Sequence, residues 1–143
     1  MNLNTNTESW RALVVDDEPD NLELARDVLA LMGADAACAR GGEEGLALAA
    51  SYRPNLVLVD LAMPGLDGWE VQRRLRAQAD FNDVPIIALT ALAMHHDIAR
   101  AREAGFDGYI TKPFLVKSLL KEIRACIEQF LQTRASTPYS DGG

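Results

Sequence analysis

Five polar residues in this sequence each follow a short apolar run, and their side chains are of the types that bind a cation and a phosphoryl group. They are Asp16 and Asp17 after residues 12–15, Asp60 after residues 56–59, Thr90 after residues 85–89 and Lys112 after residues 109–110. Adjacent carboxylates at the end of a buried strand repel each other unless a positive charge lies near them. If the runs are neighbouring parallel strands, their carboxyl ends meet at one edge of the sheet, where ligands of open α/β sheets bind. The sequence therefore predicts one crevice with three carboxylates, a hydroxyl and an ammonium group.

The carboxylates of this crevice are suitable ligands for magnesium. Mg²⁺ is usually bound by one or two carboxylates together with phosphate and water oxygens. Asp17 and Asp60 could supply direct oxygen ligands, and Asp16 could hold a metal-bound water. Asp60 is the best candidate nucleophile, because carboxylates accept phosphoryl groups. Lys112 and the metal would neutralise charge on the phosphoryl group, which this chemistry needs more than acid–base help.

Four of these five residues also have a purely structural explanation. Asp16 and Asp17 could cap the helix that follows them, where the helix dipole favours negative charge. Lys112 could be an exposed surface lysine, although the strand before it and Pro113 after it favour a fixed position, and Pro113 is a candidate for a cis peptide bond. Thr90 could be an ordinary strand residue. The occurrence of all five at predicted strand ends favours the functional interpretation.

Composition limits the class of protein. The chain has 143 residues, of which 48% are hydrophobic and 24% charged, and its net charge is −7. This length and composition suit one globular domain with its own core. The net negative charge argues against nucleic-acid binding, which needs a basic face, and the sequence shows no secretory signal or membrane-spanning apolar stretch. Cys38 and Cys126 form no CxxC motif, which favours reduced thiols in a cytoplasmic protein.

Apolar runs alternate with helical patterns along the chain. The predicted strands are residues 12–15, 35–39, 55–59, 85–89 and 108–110, and the predicted helices are residues 19–32, 43–52, 69–78, 97–104 and 115–134. The first, third and fourth runs are nearly continuous in Val, Leu and Ile, as in strands covered on both faces, whereas the second is weaker and suits an edge. The alternation predicts an α/β fold, a doubly wound five-stranded parallel sheet with helices on both faces.

The domain boundaries follow from the same pattern. We assign residues 11–131 to one domain. We expect a flexible leader over residues 1–10 and a flexible tail over residues 132–143, because both segments are polar and have little to bury.

Two short motifs receive structural interpretations. In the loop after the third strand, Asp67 and Gly68 fit a helix start, and the glycines of this loop relieve backbone strain. The pair His95-His96 is interpreted as solvated residues at a helix start, because adjacent histidines point to different sides of a helix.

Four motifs together resemble the receiver domain of two-component response regulators, the CheY-like family. They are VVDDEP at residues 14–19, VDLAMPGLDG at residues 59–68, LTA at residues 89–91 and YITKPF at residues 109–114. Each motif alone is modest, but their order and spacing make the resemblance specific over residues 11–131. The resemblance implies a flavodoxin-like fold and a role in phosphorelay signal transduction.

The resemblance also implies a role for each residue of the crevice. Asp60 corresponds to the phosphoacceptor, which receives its phosphoryl group from a phosphohistidine on a sensor histidine kinase or a histidine phosphotransfer protein. Asp16 and Asp17 correspond to the acidic metal pair, and the backbone carbonyl of Ala62 to a further ligand of Mg²⁺. Such a domain is not an enzyme in the usual sense, because it catalyses only its own phosphorylation and dephosphorylation.

By the same resemblance, Thr90 and Lys112 contact the phosphoryl oxygens. Thr90 moves toward the phosphoryl group and the ring of Tyr109 turns inward behind it, which changes the partner preference of the surface formed by residues 97–104, 108–110 and the last helix. From periodicity alone, Tyr109 is equally compatible with a simple core position. We further hypothesise a long-lived phosphorylated form, because Ala62 and Leu92 have no polar group to orient an attacking water.

Several functions are compatible with this sequence. Because no output domain follows the predicted receiver, the first is a stand-alone receiver that acts through protein partners; a variant is a receiver excised from a hybrid histidine kinase or larger regulator. A magnesium-dependent phosphatase with an aspartyl nucleophile is remote, because Ala62 occupies the position where such enzymes need a second aspartate. A receiver-like scaffold that is never phosphorylated is also disfavoured, since the residue set is complete.

Overall fold

The computed structural model describes residues 3–91 and 95–135. Five strands alternate with five helices over these residues. In chain order the elements are β1 (Arg11–Val15), α1 (Pro19–Leu31), β2 (Asp35–Ala39), α2 (Gly42–Tyr52), β3 (Leu56–Asp60), α3 (Gly68–Arg76), β4 (Ile86–Thr90), α4 (His95–Ala104), β5 (Gly108–Thr111) and α5 (Val116–Ala135). Every predicted strand and helix is confirmed, with ends that agree to within two residues.

All strands are parallel and lie in the order β2-β1-β3-β4-β5. This confirms the predicted doubly wound sheet and the edge position of β2; β5 forms the other edge. The register aligns Val15 of β1 with Val59 of β3. Asp16 directly follows Val15, and Asp60 directly follows Val59. The two aspartates therefore lie side by side at the carboxyl ends of neighbouring central strands. Thr90 ends β4 opposite Thr111, which directly precedes Lys112.

The core consists of two apolar layers, one on each face of the sheet. Alternate strand residues point to opposite faces, so Ala12 and Val14 pack in one layer, and Leu13 and Val15 in the other. The first layer is covered by α1 and α5, and the second by α2, α3 and the buried side of α4. Burial on both faces explains why β1, β3 and β4 read as continuous apolar runs. No described helix is both long enough and apolar enough to cross a membrane.

The segment before β1 differs from the flexible leader expected from its composition, over the part that the structure describes. Trp10 is only 1% exposed, and its indole N–H donates to the backbone oxygen of Asn4 at 2.8 Å. Leu3 packs against the core layer next to α1 and α5. The hydroxyl of Thr7 donates to the backbone oxygen of Met32, just after α1. Residues 3–10 are therefore part of the packed domain, because one buried tryptophan organises them.

The C-terminal boundary also differs from the expected one. Residues 132–135, expected in the tail, form the last turn of α5. The guanidinium of Arg134 lies 2.8 Å from a carboxylate oxygen of Asp83 and close to the ring of Phe130, which is buried one turn earlier. These contacts extend the helix beyond its apolar pattern. Residues 136–143 of the expected tail lie outside the described residues.

Candidate functional site

The carboxyl ends of β1 and β3 bring three aspartates together. Asp16, Asp17 and Asp60 each offer a carboxylate oxygen, and these oxygens lie within 4.8 Å of one another. Asp16 is fully buried, Asp60 is 4% exposed and Asp17 is half-buried. The sheet fixes both strand ends, because the Asp16 N–H donates to the Ala39 oxygen at 3.1 Å and the Leu61 N–H to the Leu89 oxygen at 3.0 Å. The predicted carboxylate crevice is thus present.

Helix capping does not account for the aspartate pair. The N-cap of α1 is Glu18, and its side chain makes no capping hydrogen bond. Asp16 Oδ1 accepts the Glu18 N–H at 3.0 Å, a turn that leaves its other oxygen, Oδ2, directed into the crevice. Asp60 makes the same local contact, since its Oδ1 accepts the Ala62 N–H at 3.2 Å. The carboxylates of Asp16 and Asp60 therefore turn inward rather than toward the helix start.

Lys112 is a largely buried member of the site and not a surface lysine. Its Nζ lies 3.0 Å from Asp16 Oδ2 and 3.2 Å from Asp60 Oδ2, and its side chain is 15% exposed. The Lys112 N–H donates to the Thr90 oxygen at 2.7 Å, which ties the end of β5 to the end of β4. The predicted cis peptide bond before Pro113 is confirmed. One ammonium group thus bridges carboxylates from two strands.

The charges of the site perturb one another. Burial, together with the negative charge of Asp16, raises the pKa of Asp60 to about 6, although Lys112 and the Ala62 N–H oppose the rise. Burial lowers the pKa of Lys112, but its contacts with Asp16 and Asp60 outweigh this effect and raise the pKa overall. One ammonium thus compensates three carboxylates incompletely, and a further positive charge would stabilise the ionised form of Asp60.

A divalent cation fits this arrangement. The carboxylate oxygens are hard ligands of the kind that Mg²⁺ prefers. The buried Asp16 Oδ2 contacts the Lys112 ammonium at 3.0 Å but has no further hydrogen-bond donor within the described residues. That ammonium is shared with Asp60, so a bound cation would lower the cost of burying these carboxylates.

The loop after β3 is shaped by two glycines that act differently. Gly65 has a φ of +75°, which confirms the predicted relief of backbone strain at that position. Gly68 instead permits close packing, because a Cβ there would lie 2.2 Å from the backbone oxygen of Asp60. Asp67 caps α3 by accepting the Glu70 N–H at 3.0 Å, as predicted for this helix start. The loop thereby folds back onto the end of β3 and holds Ala62 at the rim of the crevice.

Thr90 and Tyr109 lie where the sequence places them. Thr90 is buried at the carboxyl end of β4, one residue beyond the position that pairs with Asp60. Tyr109 is half-buried against the core layer beside α3, and burial together with the negative charge of Asp97 raises its pKa. Its hydroxyl is buried and has no hydrogen-bond partner within residues 3–91 and 95–135. The ring therefore points inward in this conformation.

Some contacts of the surroundings were not predicted. The rings of Trp69 in α3 and Phe106 pack nearly perpendicular to each other, with a centroid distance of 5.6 Å. The guanidinium of Arg100 from α4 lies over the Trp69 ring, 4.2 Å from its centroid. The only sequence signal was an aromatic residue at the start of a helix. His96 is 79% exposed, as predicted for a solvated residue. Leu92 lies outside the described residues.

The fold and the acidic crevice define a class of α/β domain in which the ligand site lies at the carboxyl ends of parallel strands. A family model described as the response regulator receiver domain matches residues 12–124. The chain therefore belongs to this family of two-component signalling domains, and the resemblance seen in the sequence is confirmed.

The relatives found by sequence differ in length. The chain is 35% identical to the polar-differentiation response regulator DivK of Brucella anthropi, a match that covers 79% of this chain and 92% of DivK. It is 37% identical to the DNA-binding dual master transcriptional regulator RpaA of Synechocystis, over 83% of this chain and 49% of RpaA. The chain thus spans about half the length of RpaA.

Solved structures show the same architecture. The chemotaxis response regulator CheY4 of Vibrio cholerae is 27% identical, with a TM-score of 0.78 and coverage of 82% of this chain and 98% of CheY4. The signal receiver domain of a histidine kinase from Syntrophus aciditrophicus is 31% identical, with a TM-score of 0.73 and coverage of 84% and 91%. These likenesses confirm the flavodoxin-like, CheY-like fold.

Proposed function

We propose that Asp60 is the phosphoacceptor of a receiver domain that is phosphorylated by a histidine kinase or a histidine phosphotransfer protein. The observation that carries this proposal is the position of Asp60, whose carboxylate lies 3.2 Å from Lys112 Nζ and within 4.8 Å of oxygens from Asp16 and Asp17. A buried carboxylate next to an ammonium and a cluster of hard ligands suits phosphoryl transfer, in which charge neutralisation dominates.

In the proposed reaction, a carboxylate oxygen of Asp60 attacks the phosphorus of a phosphohistidine. The new O–P bond forms as the N–P bond breaks, and the imidazole leaves with the electron pair of that bond. Lys112 is already placed to hold the oxygen charge of the acyl phosphate. Thr90, at the end of the adjacent strand, is positioned for its hydroxyl to reach a phosphoryl oxygen.

We assign the metal site to Asp16, Asp17, Asp60 and the backbone carbonyl of Ala62. Bound Mg²⁺ would supply positive charge to the phosphoryl oxygens. Asp16 and Asp17 would supply carboxylate oxygens from the end of β1, and Asp60 would supply one from the end of β3. The carbonyl of Ala62 follows at the rim, on the loop that Gly68 holds against the strand.

The output of the domain is a change in its binding surface for protein partners. Thr90 and Tyr109 are the proposed switch, since Thr90 adjoins the crevice and Tyr109 lies on the next strand toward α4. A groove of about 1040 Å³ between α4, β5 and α5 is lined by Tyr109 and provides a surface where such a change could be read. We propose no nucleic-acid or membrane partner for this chain.

Two biological settings remain as proposals. The match to DivK over most of its length supports a stand-alone receiver. The matches to one half of RpaA and to the receiver of a histidine kinase support a receiver that works within a larger protein. A cytoplasmic location fits either setting, because both cysteines are half-buried free thiols.

The direct test is phosphorylation by acetyl phosphate with Mg²⁺, followed by intact mass spectrometry. The wild-type protein should gain one phosphoryl group, and Asp60→Asn should gain none. Asp83→Asn is the matched control, because Asp83 is an exposed aspartate that precedes the amino end of β4, opposite the end that holds Thr90, and should leave the gain intact. Equal phosphorylation of wild type and Asp60→Asn would refute the assignment.

A further inference from the structure

The helix α4 is less deeply embedded than the other long helices of the fold. Among residues 96–104 only Ala101 is fully buried, whereas α1, α3 and α5 each bury four residues. One contact between α4 and α3 is the stacking of the Arg100 guanidinium on the Trp69 ring. An element with few buried contacts shifts at low free-energy cost.

Next to α4 lies a buried amide group whose donor is not satisfied. Gln72 of α3 is 2% exposed, and its Nε2 has no hydrogen-bond partner in the described part of the chain. This nitrogen packs against Gly105, the residue after α4, where a Cβ would lie 2.7 Å from it. Water does not reach the atom, so the donor carries its full desolvation cost in this conformation.

Acceptors for this donor lie at the adjacent end of α4. The last four carbonyl groups of a helix have no partner within the helix. Here the Phe106 N–H donates to the Ala101 oxygen and the Gly105 N–H to the Arg102 oxygen. Within the described residues, the carbonyls of Glu103 and Ala104 receive no backbone N–H. The buried donor of Gln72 thus packs against Gly105, the residue that directly follows these two carbonyls.

We propose that Gln72 couples α3 to α4: its side-chain amide donates to the C-terminal carbonyls of α4, at Glu103 or Ala104, in the phosphorylated conformation and is unpaired in the conformation described above. This inference rests on the proposed phosphorylation of Asp60. The unpaired donor raises the free energy of the described conformation, and pairing lowers that of the alternative. Gln72 therefore biases the equilibrium toward the phosphorylated conformation without contact with the phosphoryl group.

The coupling predicts opposite effects of one substitution in two states. Gln72→Met keeps the length and bulk of the side chain but removes the donor. Without ligand, the variant should unfold at the same urea concentration as the wild type or a higher one, because a costly buried donor is gone. With Mg²⁺ and beryllofluoride, a phosphoryl mimic, it should bind more weakly, by about 5- to 150-fold, the usual range of coupling between two sites.

The experiment measures urea unfolding without ligand and the beryllofluoride dissociation constant by titration calorimetry in excess Mg²⁺. Gln78→Met is the matched control, because Gln78 is exposed just beyond the same helix and should leave both quantities unchanged. In the wild type, beryllofluoride should also shift the ¹⁵N side-chain amide signals of Gln72, identified as those that Gln72→Met lacks.

The possible results separate this inference from the proposed function. Weaker binding with undiminished ligand-free stability supports the role of Gln72. Normal beryllofluoride binding by both the wild type and Gln72→Met rejects that role alone. A Gln72→Met protein that is clearly less stable without ligand also rejects it, since the amide would then be paired already. If the wild type does not bind beryllofluoride, the phosphoacceptor assignment fails and this inference fails with it.

Discussion

Ionisation of Asp60 at neutral pH lowers the stability of the folded state. Because its pKa rises from 3.8 in the unfolded chain to about 6, the folded state holds the proton more tightly. Protonated Asp60 therefore contributes to the free energy of unfolding. This contribution is fully present below about pH 4 and is lost as the pH rises through 6. Asp60→Asn removes the ionisable group, so in EDTA at pH 7.5 it should be more stable than the wild type, by roughly 1–3 kcal/mol.

The measurement is urea unfolding of both proteins between pH 3.5 and pH 7.5 without metal. The difference between them should shrink as the pH falls through about 6 and be lost below about 4. A difference that does not change with pH would show that ionisation of Asp60 is not the source. Added Mg²⁺ should stabilise the wild type selectively and reduce the advantage of Asp60→Asn.

Lys112 has a role in stability that can be separated from its role in the reaction. Lys112→Met removes the ammonium that lies 3.0 Å from Asp16 and 3.2 Å from Asp60. The metal-free variant should be less stable by roughly 2 kcal/mol, below the value for fully buried pairs because some solvent reaches the side chain. Its affinity for Mg²⁺ should rise, since a competing positive charge is gone, while phosphorylation by acetyl phosphate should be lost. Weaker Mg²⁺ binding by calorimetry would contradict this account; Lys117→Met, on the exposed side of α5, is the control.

At the scale of elements, the contact between α3 and β3 sets the geometry of the crevice. Gly68→Ala would place a methyl group 2.2 Å from the Asp60 backbone oxygen, so the loop or the helix must move. We expect a loss of roughly 1–3 kcal/mol, as for other overpacked sites, and weaker Mg²⁺ binding because Ala62 moves with the loop. Gly41→Ala is the control, since a Cβ there meets nothing within 4 Å. Unfolding and calorimetry of both variants test this; equal Mg²⁺ affinity in Gly68→Ala and the wild type would contradict it.

The same scale shows what the sequence could and could not predict. Asp16, Asp60, Thr90 and Lys112 were predictable because parallel strands all end at one edge, so position along the chain determines position in space. Contacts between helices on one face have no such rule. The stack of Arg100 on Trp69 and the unpaired amide of Gln72 depend on how α3 and α4 are rotated toward each other, which periodicity does not specify.

At the scale of the whole molecule, the two ends of the sheet differ in what covers them. The carboxyl ends of the strands hold the acidic site, whereas the amino end of β1 is covered by residues 3–10, where the Asp35 N–H donates to the Trp10 oxygen at 3.0 Å. Asn55 links this segment to β3, since its side-chain amide donates to the Ser9 oxygen at 2.8 Å. The family match begins at residue 12, after this segment.

This separation predicts that stability and function respond differently to truncation. Deletion of residues 1–9 removes Leu3 from the core and the acceptor of the Trp10 indole, which leaves a buried donor unpaired. We expect a loss of roughly 2–4 kcal/mol in the free energy of unfolding, from the exposed apolar surface and the unpaired donor together. Mg²⁺ affinity and the extent of phosphorylation by acetyl phosphate should stay unchanged at a temperature where the truncated protein is folded, because described residues 3–9 precede the amino end of β1 and the crevice lies at its carboxyl end. Urea unfolding and calorimetry on the same samples test both expectations. A truncated protein as stable as the full chain would show that the segment is not part of the packed domain. A large fall in Mg²⁺ affinity would show that the two ends of the sheet are coupled.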